Sequence, residues 1–254
     1  MTVYLCEDSF DGILCGVYDA WMGRRGRDNV RLAFDGVFER ELFCEYEQVQ
    51  VTPEKTKKVI DALRSKISEE AYETVYRASL SGDEARADVI YRYTLEGFRY
   101  GAQSLEMLQL PAVFSLFRLC RYVGNEAHLL TGFARFARTR EGLLLCRIGP
   151  KNDVTPILAD HFANRLPDEN WMIYDEKRKR AALHPAGEPW FILRAGEAGW
   201  DGVLAGNTDE EEYRELWRIF HDTIAIPERK NLICQRTHLP LRYRPYMTEF
   251  ARKP

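Results

Sequence analysis

The sequence lacks the short motifs that mark several large enzyme classes. It contains no P-loop, no G-x-G-x-x-G fingerprint and no G-x-S-x-G motif, each of which builds a defined phosphate-binding or nucleophile site. The H-x-E and P-C-x-x-C pair of the zinc deaminases is missing as well. These absences disfavour an ATPase, a Rossmann dehydrogenase, an α/β-hydrolase and a zinc deaminase.

The cysteines are not arranged as metal ligands. None of the six belongs to a C-x-x-C pair or a C-x-x-x-C-x-x-C cluster, so an iron–sulfur cluster or a cysteine-rich zinc site is disfavoured. Cys120 in "LFRLCRY" and Cys146 in "LLLCRIG" have apolar neighbours, which predicts buried free thiols in a reducing compartment. We expect no metal and no cofactor.

Signals for export or membrane insertion are also missing. The start "MTVYLCEDSF" has no basic segment, unlike a signal peptide, and no apolar run approaches the roughly 20 residues that span a bilayer. The formal net charge is -3, so binding of a polyanion would need a local basic surface. We expect a soluble cytoplasmic protein that makes no contact with a membrane.

The first part of the chain predicts a strand followed by helices. "TVYLCE" is typical of a strand, and the helix after it has Ser9 as its N-cap. "LFCEYEQVQV" alternates as a half-buried strand does, and Thr52 with Pro53 opens the next helix. A soft boundary at "SLSGDEA" divides the chain into a strand–helix region, 1–82, and a second domain, 83–254.

The second part predicts two hairpins separated by helices. A helix opens at Pro111, and the pattern changes after His128, where "LLTGFARFART" and "GLLLCRIGP" form a hairpin. "NDVTPILADHFANRL" predicts a helix capped by Asn152 or Asp153, "WMIYDEKRKRAALHP" a second hairpin, "EPWFILR" a strand and "DEEEYRELWRIFHDTI" an amphipathic helix. The fold class is therefore α+β: an N-terminal strand and helices followed by a hairpin–helix–hairpin–helix layer.

Three small groups of polar residues are candidate sites. Glu126 and His128 are two positions apart and do not share a helix face, so they form either a structural pair or a polar site with Arg135. His161 and Arg165 do share a face; they contact a phosphate or carboxylate, or they are helix-end cations balanced by nearby acids. The third group lies where a strand meets a turn, and it contains Tyr174, Asp175 and Arg178.

The C-terminal stretch is the most basic part of the chain. Residues 226–254 hold seven basic side chains and two acidic ones, with interleaved aromatics. Such a segment either contacts phosphates and bases or packs against the protein, where "TDEEEYRE" could neutralise it. In "ERKNLICQ", Asn231 and Gln235 would share a helix face as part of a polar site, whereas "LPLRYRPYMTEF" has the composition of a packing strap.

Long motifs in the second half resemble an uncharacterised domain of proteins assigned to DNA metabolism. They are "YVGNEAHLLTGFARFART", "PILADHFANRLPDENWMIYDEKR" and "YRELWRIFHDTIAIPERKNLICQRTHLPLRYRPYMTEF". The chain departs from that family at Leu129, where an arginine is commoner, and in "LPLRY", where a methionine is expected before the proline. The resemblance covers about Asp83 to Phe250, and "VYLCEDSFDGILCGVYDAW" extends it over the whole chain.

The resemblance implies a role in processing DNA damage. Such proteins are similar to partners of a radical S-adenosylmethionine protein that acts on DNA, and the domain also occurs joined to a uracil-DNA glycosylase-like domain. The first expectation is a DNA-binding accessory subunit of that radical S-adenosylmethionine enzyme. The expected nucleic-acid contacts are Arg135, Arg165, Arg178, Arg229, Asn231 and Gln235, with His161 beside them.

Two other functions stay open. The protein could itself process a nucleobase or a phosphodiester, if its acid–base groups converge in one pocket with Arg135 or Arg165. The candidate catalytic residues are Glu126, His128, His161 and Asp175. A third function is that of a protein-interaction subunit without nucleic-acid contact.

Overall fold

The computed structural model describes residues 1–36, 41–194, 211–224 and 231–250. The chain divides into two compact units, Met1–Gly124 and Asn125–Pro254. This division falls inside a long helix, whereas the domain boundary expected between residues 82 and 83 stays a prediction. Both helices and sheets are present, and the predicted α+β class is confirmed.

The first unit is a small parallel sheet with helices. Its strands lie in the order β2-β1-β3, and β1 pairs in parallel with both neighbours. Its elements are β1 (Thr2–Cys6), α1 (Phe10–Met22), β2 (Val30–Phe34), β3 (Glu45–Gln48), α2 (Pro53–Lys66), α3 (Glu69–Ser79), α4 (Arg86–Tyr100) and the first half of α5 (Pro111–Phe133).

Side-chain caps fix where the helices of the first unit begin. The hydroxyl of Ser9 accepts a hydrogen bond from the Gly12 amide at 3.0 Å, which confirms Ser9 as the cap of α1. Thr52 caps α2 in the same way, and Ser68 caps α3. Strand β2 was not predicted, because its apolar sequence "VRLAF" follows a polar loop and lacks a clear alternation.

One face of α5 completes the core of the first unit. Val113, Leu116 and Leu119 are at most 1% exposed and pack with buried residues of the other helices, including Leu63 and Ile90. Spacings of three residues put these side chains on one side of the helix. Burying each such side chain contributes about 1.5–3 kcal/mol before the entropic cost of ordering it.

The second unit contains a five-stranded mixed sheet. The strands lie in the order β4-β5-β6-β7-β8; the pair β5–β6 is parallel and the other pairs are antiparallel. Helix α6 is the crossover between the two parallel strands. The elements are β4 (Phe136–Arg138), β5 (Leu144–Ile148), α6 (Thr155–Arg165), β6 (Trp171–Asp175), β7 (Arg180–His184), β8 (Phe191–Arg194), α7 (Glu211–Ile224) and α8 (Leu232–His238).

Two predictions about where helices of the second unit begin and end are wrong. Helix α5 continues to Phe133, and the Ala134 amide still donates to the Leu130 carbonyl at 2.8 Å, so the first hairpin strand is only Phe136–Arg138. Helix α6 has Val154 at its N-cap without a side-chain hydrogen bond. The cap expected from Asn152 or Asp153 is missing because Glu126 and Arg180, respectively, bind those two side chains.

No helix among the described residues is long and apolar enough to cross a membrane.

Candidate functional site

The carboxylate of Glu126 is the centre of a buried hydrogen-bond network in the second unit. Glu126 lies on α5 and is 4% exposed. One oxygen accepts from the Tyr243 hydroxyl at 2.6 Å, from Arg242 at 3.1 Å and from the Lys151 amide at 3.0 Å. The other accepts from the Asn152 amide and side chain, both at 2.7 Å. Such complete pairing is what a buried charge requires.

The network keeps Glu126 ionised. Burial alone would raise the pKa of its carboxyl, but the hydrogen bonds from Tyr243, Asn152, Lys151 and Arg242 outweigh it, and the pKa lies below its ordinary value. The pKa of the Tyr243 hydroxyl is raised, first by burial and then by its hydrogen bond to Glu126. At neutral pH the pair is therefore a carboxylate that accepts and a neutral phenol that donates.

Asp175 and Arg178 close the turn between β6 and β7. Asp175 is fully buried and accepts from the amides of Lys177 at 2.9 Å and Arg178 at 3.1 Å, and from the Arg178 guanidinium at 3.0 Å. Arg178 also donates to the carbonyls of Pro150 at 3.5 Å and Lys151 at 2.6 Å. Because Lys151 in turn donates to Glu126, the loop at residues 150–152 connects the two buried carboxylates.

Arg135 is held by the C-terminal segment. Its guanidinium pairs with Glu249 at 2.7 Å and lies over the ring of Trp217, at 5.7 Å from the centroid. The indole nitrogen of Trp217 donates to the same carboxylate at 3.2 Å. Burial alone would raise the pKa of Glu249, but the bonds from Arg135 and Trp217 lower it. Arg135 thus holds the C-terminal segment through Glu249 and Trp217. Its role as a nucleic-acid contact stays a prediction.

The end of the described chain is a packing strap, as its composition predicted. Tyr243 and Met247 are buried, 1% and 3% exposed. Tyr246 donates to Glu176 at 3.1 Å, and its pKa is raised to about 12, mainly by burial. Its hydroxyl and ring lie so close to Gly149 that a Cβ there would meet them at 2.2–3.0 Å. We call residues Leu239–Phe250 the strap.

Three predicted site residues are on the surface of the second unit. His128 on α5 is exposed, and so are His161 and Arg165 on α6. The rings of His161 and Phe162 stand edge to face, with 4.9 Å between their centroids. Arg165 has no hydrogen bond or ion pair with any residue that the structure describes. The face shared by His161 and Arg165 is therefore exposed and has no polar partner among the described residues.

Asn231 and Gln235 lie one turn apart at the start of α8, where the Gln235 amide donates to the Asn231 carbonyl at 2.9 Å; their part in a polar site stays a prediction. Asn231 precedes α8 and caps it, accepting from the Cys234 amide at 2.9 Å, so only Gln235 lies within the helix. Asparagine favours this capping position because its side-chain oxygen replaces a missing carbonyl. Gln235 accepts from Arg244 of the strap at 3.1 Å. Arg229 lies outside the residues that the structure describes.

The expectation of buried free thiols is confirmed in part. Cys6, Cys15 and Cys146 are buried, Cys44 and Cys120 are half-buried, and Cys234 is exposed. Burial raises the pKa of Cys146 to about 12 and that of Cys120 to about 11, which leaves them as neutral thiols. Within the described ranges no three His, Cys, Asp or Glu side chains come together to hold a metal ion.

Comparison with known families gives the chain its classification. A family model described as a domain of unknown function, DUF4130, matches residues 84–249. The chain belongs to this family. No curated protein matches the chain. The matched range of the DUF4130 domain contains every candidate site residue named above.

The DUF4130 domain brings some of these candidates together and leaves others apart. Glu126, Arg178 and Asp175 share one network through the loop at residues 150–152. His128, His161 and Arg165 have no bond to that network among the described contacts. Sequence reasoning missed Tyr243 as a partner of Glu126; the only signal was an aromatic beside an arginine in a segment expected to pack.

Proposed function

We propose that this protein is a DNA-binding accessory subunit in DNA repair or modification, acting in the cytoplasm beside a radical S-adenosylmethionine enzyme. The observation that carries the proposal is the open face of α6. There His161 and Arg165 stand one turn apart, exposed, with no acidic partner among the described residues. An arginine and a histidine in that arrangement suit contact with a phosphate backbone.

An accessory role agrees with the state of the buried carboxylates. A general acid or base must come within hydrogen-bond reach of the substrate. Glu126 and Asp175 are instead buried and bound to donors of the protein itself. We therefore assign the chemistry to the partner and the positioning of DNA to this chain; the family resemblance supports that division.

Titration of labelled DNA at several salt concentrations tests the DNA-binding role. We expect fluorescence anisotropy to report binding that weakens steeply with salt, since phosphate contacts release counterions. Arg165→Glu should weaken binding and reduce the salt slope by about 1. Lys57→Glu, the same charge reversal at an exposed position of α2, is the control and should bind as the parent does. Absence of binding to single-stranded, duplex or damaged DNA would refute the proposal.

Purification of the tagged protein from its native host tests the partner. We expect an iron-containing radical S-adenosylmethionine protein to co-purify, with nuclease treatment separating direct from DNA-bridged association. An unrelated protein with the same tag is the control. If DNA binding is present but no such protein co-purifies, the accessory role beside that enzyme is wrong and the DNA-binding role remains.

A further inference from the structure

Helix α5 presents an exposed stripe on the first unit. Phe114, Phe117, Arg118 and Arg121 follow the spacing i, i+3, i+4 and i+7, which places them on one side of the helix. Phe114 is 57% exposed and Phe117 is 42% exposed. We call these four residues the α5 stripe; they extend over about 10 Å of the helix at 1.5 Å per residue.

The α5 stripe takes no part in holding the first unit together. The opposite side of α5 supplies the core contacts, through Val113, Leu116 and Leu119. Neither Arg118 nor Arg121 forms a hydrogen bond or an ion pair with a residue in the described part of the chain, and neither Phe114 nor Phe117 contacts another aromatic ring there. Two large aromatic side chains on one helix face, which the core of the unit does not use, are therefore available to a ligand.

The charge of the α5 stripe is of one sign. From Pro111 to Asn125 the helix contains two arginines and no acidic residue. An uncompensated pair of cations one turn apart attracts an anionic ligand. The rings of Phe114 and Phe117, which precede the arginines along the same helix face, favour a ligand that also has flat apolar faces.

We propose that the α5 stripe binds single-stranded DNA. Bases stack on Phe114 and Phe117, and Arg118 and Arg121 contact phosphates of the same strand. A duplex fits less well, because its bases are already stacked on one another and show their faces to no side chain. The inference rests on the proposed DNA-binding function and places part of that binding on a surface distinct from α6.

Binding of a labelled oligothymidylate of about 16 nucleotides tests the α5 stripe. We expect Phe114→Ala and Phe117→Ala each to weaken binding about tenfold, the order found for loss of one stacked base. Arg118→Glu with Arg121→Glu should weaken it further and reduce the magnitude of the salt slope by about 1.4, that is 0.7 for each lost phosphate contact on a single strand. All four side chains are exposed, and circular dichroism should show an unchanged fold.

Controls separate this surface from net charge and from α6. Lys57→Glu with Lys66→Glu makes the same charge change at exposed positions of α2 and should bind oligothymidylate as the parent does. An oligouridylate of equal length distinguishes RNA from DNA as the ligand. Duplex DNA of the same length should compete weakly.

The other possible results contradict different parts of the proposal. If the parent binds DNA and the stripe variants bind equally well, the α5 stripe is refuted while the DNA-binding function stands. If the parent binds no nucleic acid, both fail. If the variants lose duplex binding instead, the single-strand assignment is wrong. If sedimentation shows self-association that Phe114→Ala abolishes, the stripe is a contact between copies of the chain.

Discussion

The hydroxyl of Tyr243 is one of five donors on the buried carboxylate of Glu126. Tyr243→Phe removes this donor and keeps the ring. We expect the free energy of unfolding to fall by about 1–3 kcal/mol, because a buried charged acceptor loses a partner. Urea unfolding measures the change. Tyr246→Phe is the matched control: its hydroxyl also donates to a glutamate, the partly exposed Glu176, so the loss should be smaller. Equal losses in the two variants would mean that the deeper burial of Glu126 does not raise the cost of losing a hydroxyl donor.

The ionisation of Glu126 makes stability depend on pH. Its pKa is lowered in the folded state, so below the ordinary glutamate pKa the unfolded chain binds more protons than the folded one. Stability is therefore complete above that pKa, about 4.3, and is lost as pH falls through the lower folded pKa. The pKa of Glu249 is lowered too and acts in the same direction.

Urea unfolding at a series of pH values tests this linkage. The Tyr243 hydroxyl lowers the pKa of Glu126, so Tyr243→Phe should flatten the decrease in stability below pH 4.3. The difference between parent and variant should consequently narrow as pH falls. A difference that stays constant from neutral to acid pH would mean that the hydroxyl does not act through the charge of Glu126.

At the scale of elements, the contact of β5 with the strap depends on a missing side chain. Gly149 follows β5, and an added Cβ would lie 2.2 Å from the Tyr246 hydroxyl. We expect Gly149→Ala to cost about 1–3 kcal/mol by overpacking, measured by thermal or urea unfolding. Gly124→Ala is a control for which we expect the opposite effect. Apart from its own helix backbone, no described heavy atom lies within 4 Å of a Cβ added at Gly124, so alanine should stabilise α5 by about 0.5–1 kcal/mol. A neutral Gly149→Ala would show that Tyr246 moves freely.

The start of a helix could be predicted from the sequence where the interaction that determines it is local. Ser9 and Thr52 lie one residue before their helices and cap them as predicted, because capping involves only neighbours in sequence. The cap of α6 could not be predicted in this way, since Asn152 is bound by Glu126, which lies 26 positions earlier. Asn231 also follows its local preference: it caps α8 by accepting from the Cys234 amide.

At the scale of the whole molecule, the strap connects distant parts of the second unit. Tyr243 binds Glu126, Tyr246 binds Glu176 and Glu249 binds Arg135. No spacing rule predicts such pairs, because 114–117 positions separate the first and last of them. The sequence identified the strap from its composition but could not identify its partners.

Shortening the chain tests the strap. A chain that ends at His238 loses all three contacts and leaves Glu126 with two fewer donors; we expect its second unit to show rapid hydrogen exchange and early proteolysis. The first unit, with its own core, should remain protected. A chain that ends at Phe250 keeps every contact named here and is the control. Equal protection of the second unit in both chains would mean that the strap contributes nothing.

The strap also fixes an order of events during synthesis. The first unit is complete once Gly124 has left the ribosome, so it can fold while translation continues. The network around Glu126 cannot form until Tyr243 has emerged, more than a hundred codons later. Until then a carboxylate that is later enclosed stays hydrated, and the second unit waits for nearly the last residues of the described chain before it can close.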